Sequence, residues 1–325
     1  MAAGGHRGKE IFLDHFKLPS GDPDVDMLRR IVECYSNLPY ENLTKIIKKF
    51  TAPSPEERLR GPVEVMAGYV NARTGGTCFS LTYCLGSILA SAGYRSHPVM
   101  ADMKRPNIHC ALVVELGGRR LLVDPGYLLG EPVELGAAPV SVATTFGTVE
   151  IKPRGRESYD LFTVDGAREP ERAGPDVPAG AAPGSPGCGA RDAFAGASDV
   201  TLDAQRPRPA GRTWRYTVKT AAVSHSAFMR HWQDSFSLPM MSSLLLTKLT
   251  PEGHLYIKNH HLRMKGVRGK TNENIRGEIE RRIASEFGIP AGITAEARRH
   301  IERLRSGWSA GARRSERRGL MALEE

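Results

Sequence analysis

The sequence has no long hydrophobic run and few cysteines among its 325 residues. No stretch reaches the roughly 18 consecutive apolar residues that a membrane-spanning helix needs, and the opening MAAGGHRGKEIFLD has no apolar signal-peptide core. We therefore expect a cytoplasmic protein without a membrane partner. The five cysteines are irregularly spaced and include no CxxC pair, so neither a zinc knuckle nor a redox couple is indicated, and no metal is expected.

The sequence does contain an ordinary share of core-forming residues and an excess of positive charge. Hydrophobic residues make up 40% and charged residues 25%, which is typical of folded proteins. The chain is longer than the roughly 250 to 300 residues at which one core stops growing, which predicts about two or three packed units. The net charge of +9 would attract an anionic partner, either nucleic acid or a phosphate-bearing cosubstrate.

Composition and hydrophobic periodicity divide the chain into segments. The patterns predict a helical domain over residues 1–93 and strands over residues 94–164. Residues 165–212 are rich in Ala, Gly and Pro and cannot bury enough apolar surface to offset their backbone entropy, so we predict a disordered insertion. Residues 213–305 again contain strand and helix patterns, and residues 306–325 are predicted to be a basic flexible tail.

Several elements can be predicted individually. Apolar residues at helical spacing predict helices over 26–36 and 62–71, and a further helix over 272–287 near the C terminus. A Pro-Glu-Gly sequence separates two apolar runs, which predicts a hairpin with strands over 241–249 and 255–264.

Cys78 is the first residue that indicates chemistry. It follows Gly75 and Gly76, which allow a tight turn, and it lies at or just before a predicted helix N-terminus. The unpaired amides and the dipole of such a terminus favour the thiolate form of a cysteine. A lone cysteine is more often a small buried residue that fills space in the core, and we interpret Cys84 and Cys110 in that way.

A glycine pair at 117–118 predicts the geometry of a second part of the site. Two glycines between apolar runs are typical of a two-residue hairpin turn of the primed type. Leu116 then pairs with Arg119, and the same register makes His109 the diagonal neighbour of Asp124 on one face of the hairpin. The hairpin would therefore hold an imidazole oriented by a carboxylate.

Cys78, His109 and Asp124 together fit a triad for acyl transfer through a cysteine nucleophile. Considered singly, His109 would be a core or surface histidine and Asp124 a turn-forming residue before Pro125. The combination of a glycine-supported cysteine, a strand histidine and a partnered aspartate is what favours catalysis.

These residues resemble the motifs of the arylamine N-acetyltransferase family. That family has a GGxC element with the nucleophile, a strand histidine, and an aspartate in a VD-x-G-aromatic element. Residues 75–78 (GGTC), His109 and residues 123–127 (VDPGY) resemble these elements. Residues 38–43 (LPYENL) resemble the family's PFENL element, and residues 250–253 (TPEG) resemble its C-terminal TPEG hairpin.

The resemblance implies an α+β fold with an N-terminal helical bundle, a central antiparallel β-barrel and a C-terminal α/β lid, with the active site where the first two meet. It also implies acetyl-CoA or another acyl-CoA as the acyl donor, and an arylamine, hydrazine or related small-molecule amine as the acceptor. Because Asn107, Ile108, Gly126 and Tyr127 flank the triad, we expect them to line the substrate pocket.

The chain departs from the family pattern beside the triad. Thr74 stands where the family usually has an arginine, and residues 79–82 (FSLT) replace the acidic or amide residue and asparagine that often follow the cysteine. Pro125 and Tyr127 also differ from the small residue and phenylalanine common there. These departures leave the triad intact and change the expected walls of the acceptor pocket.

Other functions remain open at this point. An amide synthase of the same fold would release a carrier-bound polyketide chain, and a transglutaminase-like cysteine hydrolase has the same order of catalytic residues. A basic binding protein is a third reading, but the sequence has no pattern of interleaved basic and aromatic residues, so no nucleic-acid partner is expected. His260 and His261 are predicted on opposite faces of one strand, where they would not share a metal.

Overall fold

The structure is a computed structural model that describes residues 2–127, 129–164, 211–304 and 306. Of the predicted disordered insertion over residues 165–212, residues 165–210, with Cys188, lie outside the described residues, and so do residues 307–325 of the predicted flexible tail. The prediction is wrong at Arg212, which begins a barrel strand, and at Ser306, which is helical. None of the helices in the described ranges is both long and apolar enough to span a membrane.

The N-terminal part is a bundle of helices. These are α1 (Ala2–Phe16), α2 (Val25–Tyr35), α3 (Leu43–Thr51), α4 (Pro62–Ala72) and α5 (Cys78–Ser91), with a short strand β1 (Tyr40–Glu41) between α2 and α3. Asp24 caps α2 by accepting a hydrogen bond from the backbone N–H of Met27 (2.7 Å). Pro62 lies in the first turn of α4, where its missing N–H costs no hydrogen bond. The apolar helix faces, with Phe12 and Leu85, form one buried core.

An eight-stranded antiparallel sheet follows the helices. Its strands are β2 (Arg95–Asp102), β3 (His109–Leu116), β4 (Arg119–Val123), β5 (Val133–Glu134), β6 (Val140–Thr144), β7 (Gly147–Pro153), β8 (Ser158–Val164) and β9 (Arg212–Lys219). The order is β5-β4-β3-β2-β9-β8-β7-β6, and the edge strands β5 and β6 contact each other, so the sheet nearly closes into a barrel. A second core, which includes Val113, Leu161 and Val218, belongs to this sheet.

The β3–β4 hairpin has the predicted register. Leu116 pairs with Arg119, and φ is +57° at Gly117 and +74° at Gly118, as a primed turn requires. This register brings the start of β3 and the end of β4 to the same edge of the barrel.

The C-terminal part is an α/β lid. It contains α6 (His225–Asp234), β10 (Leu245–Thr250), β11 (Gly253–Lys258), β12 (His261–Gly266), β13 (Gly269–Asn274), α7 (Ile279–Phe287) and a last helix, α8, over residues 291–304. Strand β1 pairs with β10, which joins the lid to the helical bundle. The predicted α+β fold of helical bundle, antiparallel barrel and α/β lid is confirmed.

Several elements predicted in the lid were wrong. The strand predicted over 255–264 is two strands, because Asn259 (φ +53°) turns the chain between β11 and β12. His260 therefore lies in a turn and His261 begins β12. The helix predicted over 272–287 begins at Ile279, since the residues before it pair with β12 as β13.

Candidate active site

A tight turn places Cys78 at the start of α5. Thr77 is the N-cap, so the first-turn amides that have no intrahelical acceptor lie next to the thiol. A Cβ atom on Gly75 would lie 1.9 Å from the carbonyl oxygen of Pro39, so the turn requires glycine. The Cys78 side chain is almost fully buried, and its Sγ lies 3.9 Å from the carbonyl oxygen of Ile108.

Arg60 supports this turn, and sequence reasoning did not identify it. Its guanidinium donates hydrogen bonds to the carbonyl oxygen of Gly75 (2.7 Å) and to Thr44 Oγ1 (2.9 Å). It also forms a buried ion pair with Glu41 (3.7 Å). Thr74 occupies the position where the family pattern has an arginine, and Arg60 brings a guanidinium to the neighbouring carbonyl from another part of the chain.

His109 and Asp124 are hydrogen-bonded across the hairpin. The distance from His109 Nε2 to Asp124 Oδ2 is 2.7 Å, and both side chains are buried. The Tyr216 hydroxyl donates to the same Oδ2 (2.6 Å), and the Gly126 N–H donates to Oδ1 (3.0 Å). Asp124 is thus held by three donors, and Nδ1 is the His109 nitrogen left to face another group. Tyr216 lies on β9, after residues 165–210, so no local pattern could have predicted its contact.

Gly126 shows how closely the cysteine and the histidine approach. A Cβ atom on this glycine would lie 2.7 Å from Cys78 Cβ and 3.2 Å from His109 Cε1. Cys78 and His109 therefore both lie against the same glycine. The residues of the predicted triad come together in space.

The charges of the site favour a thiolate and an imidazolium. A hydrogen bond with the Cys110 thiol, opposed by burial and helped by the hydrogen bond and charge of His109, lowers the pKa of Cys78 well below its usual value. Burial lowers the pKa of His109, but the charge and hydrogen bond of Asp124, with those of Cys78, raise it to about 10. A proton therefore resides on His109 rather than on Cys78 near neutral pH.

A cavity of about 560 Å³ opens at these residues. Ile108, Gly126 and Tyr127 line it together with the triad, and the Tyr127 ring packs edge-on against His109, with centroids 5.9 Å apart. Asn107 is not among the described residues that line the cavity. Its N–H donates to Asp102 (2.9 Å), and its side chain accepts a hydrogen bond from Lys219 (2.5 Å).

One wall of the cavity is cationic. Among the described residues that line it, Asp124 is the only carboxylate, whereas the basic residues that line it are Arg215, Lys248, Arg263, Lys265 and Lys270. Burial and the charges of Arg263, Lys265 and Arg215 lower the pKa of His254, which lies in the same wall, to about 4. This wall therefore has a positive potential that would favour an anionic group.

Comparison with known proteins identifies the family. A model of the N-acetyltransferase family matches residues 24–295. The chain belongs to the arylamine N-acetyltransferase family. The resemblance predicted from the sequence motifs is confirmed, and the match includes Cys78, His109 and Asp124. No curated protein matches the chain.

Solved structures of arylamine N-acetyltransferases share the fold. The Mycobacterium abscessus protein aligns with a TM-score of 0.66 and 16% identity, over 93% of this chain and 99% of that chain. The Salmonella typhimurium protein gives a TM-score of 0.63 and 16% identity, over 89% and 97%. The Bacillus cereus protein, described as having a unique Cys-His-Glu catalytic triad, gives 0.59 and 18%, over 87% and 98%. At these identities the likeness establishes the fold alone.

Family and fold together support an enzyme that transfers an acyl group. The Bacillus cereus protein is described with a Cys-His-Glu triad, whereas in this member of the arylamine N-acetyltransferase family the acidic residue hydrogen-bonded to His109 is Asp124. Within the described ranges, no group of His, Cys, Asp and Glu side chains could hold a metal ion.

Proposed function

We propose that this chain transfers an acetyl or other short acyl group from acyl-CoA to an arylamine, hydrazine or related amine. Cys78 would carry the acyl group, with His109 and Asp124 as its catalytic partners. One observation carries this proposal: a cavity with a cationic wall opens onto a cysteine that packs beside a hydrogen-bonded histidine–aspartate pair.

Acylation follows from the charges at the site. The Cys78 thiolate attacks the thioester carbonyl, a new C–S bond forms, and the bond to the sulfur of CoA breaks. Protonated His109 can give its proton to the departing thiolate. The first-turn amides of α5 would stabilise the oxyanion of the tetrahedral intermediate.

Transfer to the amine reverses the role of the histidine. The amine attacks the acyl-cysteine, neutral His109 accepts its proton, and Asp124 stabilises the imidazolium that forms. The Cys78 thiolate then leaves and the first state returns. Because CoA departs before the amine reacts, we expect ping-pong kinetics.

The cavity walls support these substrate classes. The basic residues of the cationic wall would bind the phosphates of CoA through charge-assisted hydrogen bonds. Leu38, Leu129, Phe146 and Met240 also line the cavity and offer apolar contacts to an aromatic amine.

Intact-protein mass spectrometry after incubation with acetyl-CoA tests the proposal. We expect an adduct of about 42 Da, one acetyl group, on the wild-type chain and on Cys84→Ala, but not on Cys78→Ser. Addition of an arylamine should remove the adduct. Acetyl thioesters of small thiols without phosphates should react more slowly, and the difference should shrink at high salt. An unchanged mass with a series of acyl thioesters would reject acyl transfer.

A further inference from the structure

A second buried thiol, that of Cys110, packs in the same core as Cys78. Cys110 follows His109 in β3, is fully buried, and shares a packed core with Cys78 and Phe79. Thr82, one helical turn after Cys78, donates a hydrogen bond to the Cys110 carbonyl oxygen (3.3 Å) and so fixes β3 against this face of α5. Cys78 Sγ lies 3.9 Å from the carbonyl oxygen of Ile108, just before β3, so the Cys78 and Cys110 side chains pack in the same contact between α5 and the start of β3.

The two thiols differ in exposure and in ionisation. Cys78 lines the cavity and is the thiolate, so a small oxidant that enters the cavity meets it first. Cys110 is not among the described lining residues, and it packs against α5 in the same core as Cys78. Cys78 and Cys110 are far apart in the sequence, so a search for CxxC motifs could not have identified this pair.

We propose that Cys78 and Cys110 are a redox modification site, in which hydrogen peroxide drives formation of a reversible disulfide and Cys110 acts as the resolving thiol. The proposal rests on the proposed function only in taking Cys78 as the reactive thiol of the cavity.

The reaction balances in two steps. The Cys78 thiolate attacks a peroxide oxygen, the O–O bond breaks, and Cys78 sulfenic acid and hydroxide form. The Cys110 sulfur then attacks the sulfenic sulfur, the S–S bond forms, the S–O bond breaks, and water leaves with the Cys110 proton. Two thiols are oxidised by two electrons while peroxide is reduced to water. A dithiol restores both cysteines by thiol–disulfide exchange.

Oxidation of Cys78 makes the following attack by Cys110 easier. Burial, followed by the hydrogen bond and charge of the Cys78 thiolate, raises the pKa of Cys110 well above its usual value. Oxidation of Cys78 removes that negative charge, so Cys110 ionises more easily when it must attack. Cys84 lacks this advantage, because burial raises its pKa to about 12 and its thiol donates to the Pro62 carbonyl oxygen (3.8 Å).

The test treats the full-length chain with hydrogen peroxide and follows intact mass, peptide maps and alkylation of Cys78. In the wild type we expect a loss of about 2 Da, a linked Cys78–Cys110 peptide, and full return of Cys78 alkylation after dithiothreitol. Cys110→Ala should instead gain about 32 Da as the sulfinic acid, which dithiothreitol does not reverse. Cys84→Ala, a matched change on α5, should behave like the wild type.

Wild-type protein that adds oxygen to Cys78 without a linked peptide, or that links Cys78 to another cysteine such as Cys188, would overturn the proposal. Equal recovery of Cys110→Ala and wild type after dithiothreitol would also overturn it. The linked peptide is measured on the wild type, so the test survives if Cys110→Ala does not fold. Failure of the reduced protein to accept acetyl from acetyl-CoA would reject the proposed function and leave this disulfide intact.

Discussion

Replacing Tyr216 with phenylalanine removes one hydrogen bond from the Asp124 carboxylate. The Tyr216 hydroxyl and the His109 imidazole donate to the same oxygen, at 2.6 Å and 2.7 Å. Because both donors share one negative charge, the hydroxyl weakens the stabilisation that Asp124 gives to protonated His109. We predict that Tyr216→Phe raises the pKa of His109 in the acyl-enzyme.

The magnitude follows from the strength of the lost bond. A hydrogen bond to a charged group contributes about 1.5 to 3 kcal/mol, and about 1.4 kcal/mol corresponds to one pH unit. If the Asp124–His109 interaction becomes stronger by about half of this free energy, the pKa of His109 rises by about half to one pH unit. Neutral His109 accepts the proton of the amine, so the increase of transfer rate with pH should move by that amount to higher pH.

Single-turnover transfer from the acetylated protein to an arylamine, measured across a pH series, checks this prediction. Tyr159→Phe is the control, because Tyr159 is also buried in the barrel but its hydroxyl accepts a hydrogen bond from Arg120 (3.4 Å). Its pH profile should match the wild type. A Tyr216→Phe profile that stays in place or moves to lower pH, in a folded protein, would refute the reasoning.

Two further substitutions test how the turn and the glycine beside the triad hold the site. Arg60→Met leaves buried Glu41 without its ion-pair partner, so the free energy of unfolding measured with urea should fall by about 3 to 5 kcal/mol. Adding Glu41→Gln in a double variant should restore part of this loss. If nothing is restored, an unpaired buried charge is not the cause. Gly126→Ala should prevent acetylation of Cys78, as read by intact mass, because its Cβ would lie 2.7 Å from Cys78 Cβ. Gly130→Ala, whose Cβ would have nearest contacts of 3.8 Å and 3.9 Å, should still be acetylated.

The parts of the site that follow local rules were predictable from the sequence. The glycine pair at 117–118 sets a two-residue turn, and that turn alone sets which residue of β3 faces Asp124. The glycines before Cys78 and the helical pattern after it likewise indicate a cysteine at a helix start. Each of these inferences spans few residues, so propensity and spacing suffice.

The contacts that hold the site in place were not predictable in this way. Tyr216 reaches Asp124 from β9, and Arg60 reaches Gly75 from the segment before α4, so both depend on packing between distant segments. The lid shows the same limit. The exposed strand Gly269–Asn274 has a polar sequence with little intrinsic strand preference, and it forms because β12 offers it an edge.

His109 lies between two anions, and the proposed reaction removes one of them. This change converts His109 from an acid into a base. In the free enzyme, Asp124 and the Cys78 thiolate both raise the pKa of His109, so the ring is protonated and suited to act as an acid toward the leaving thiol of the donor. Acylation converts the Cys78 thiolate into a neutral thioester and removes one of these anions. The pKa of His109 then falls, and the ring becomes the base that the incoming amine requires. Departure of the cysteine in the second step restores the anion, so the alternation between acid and base needs no movement of the side chain.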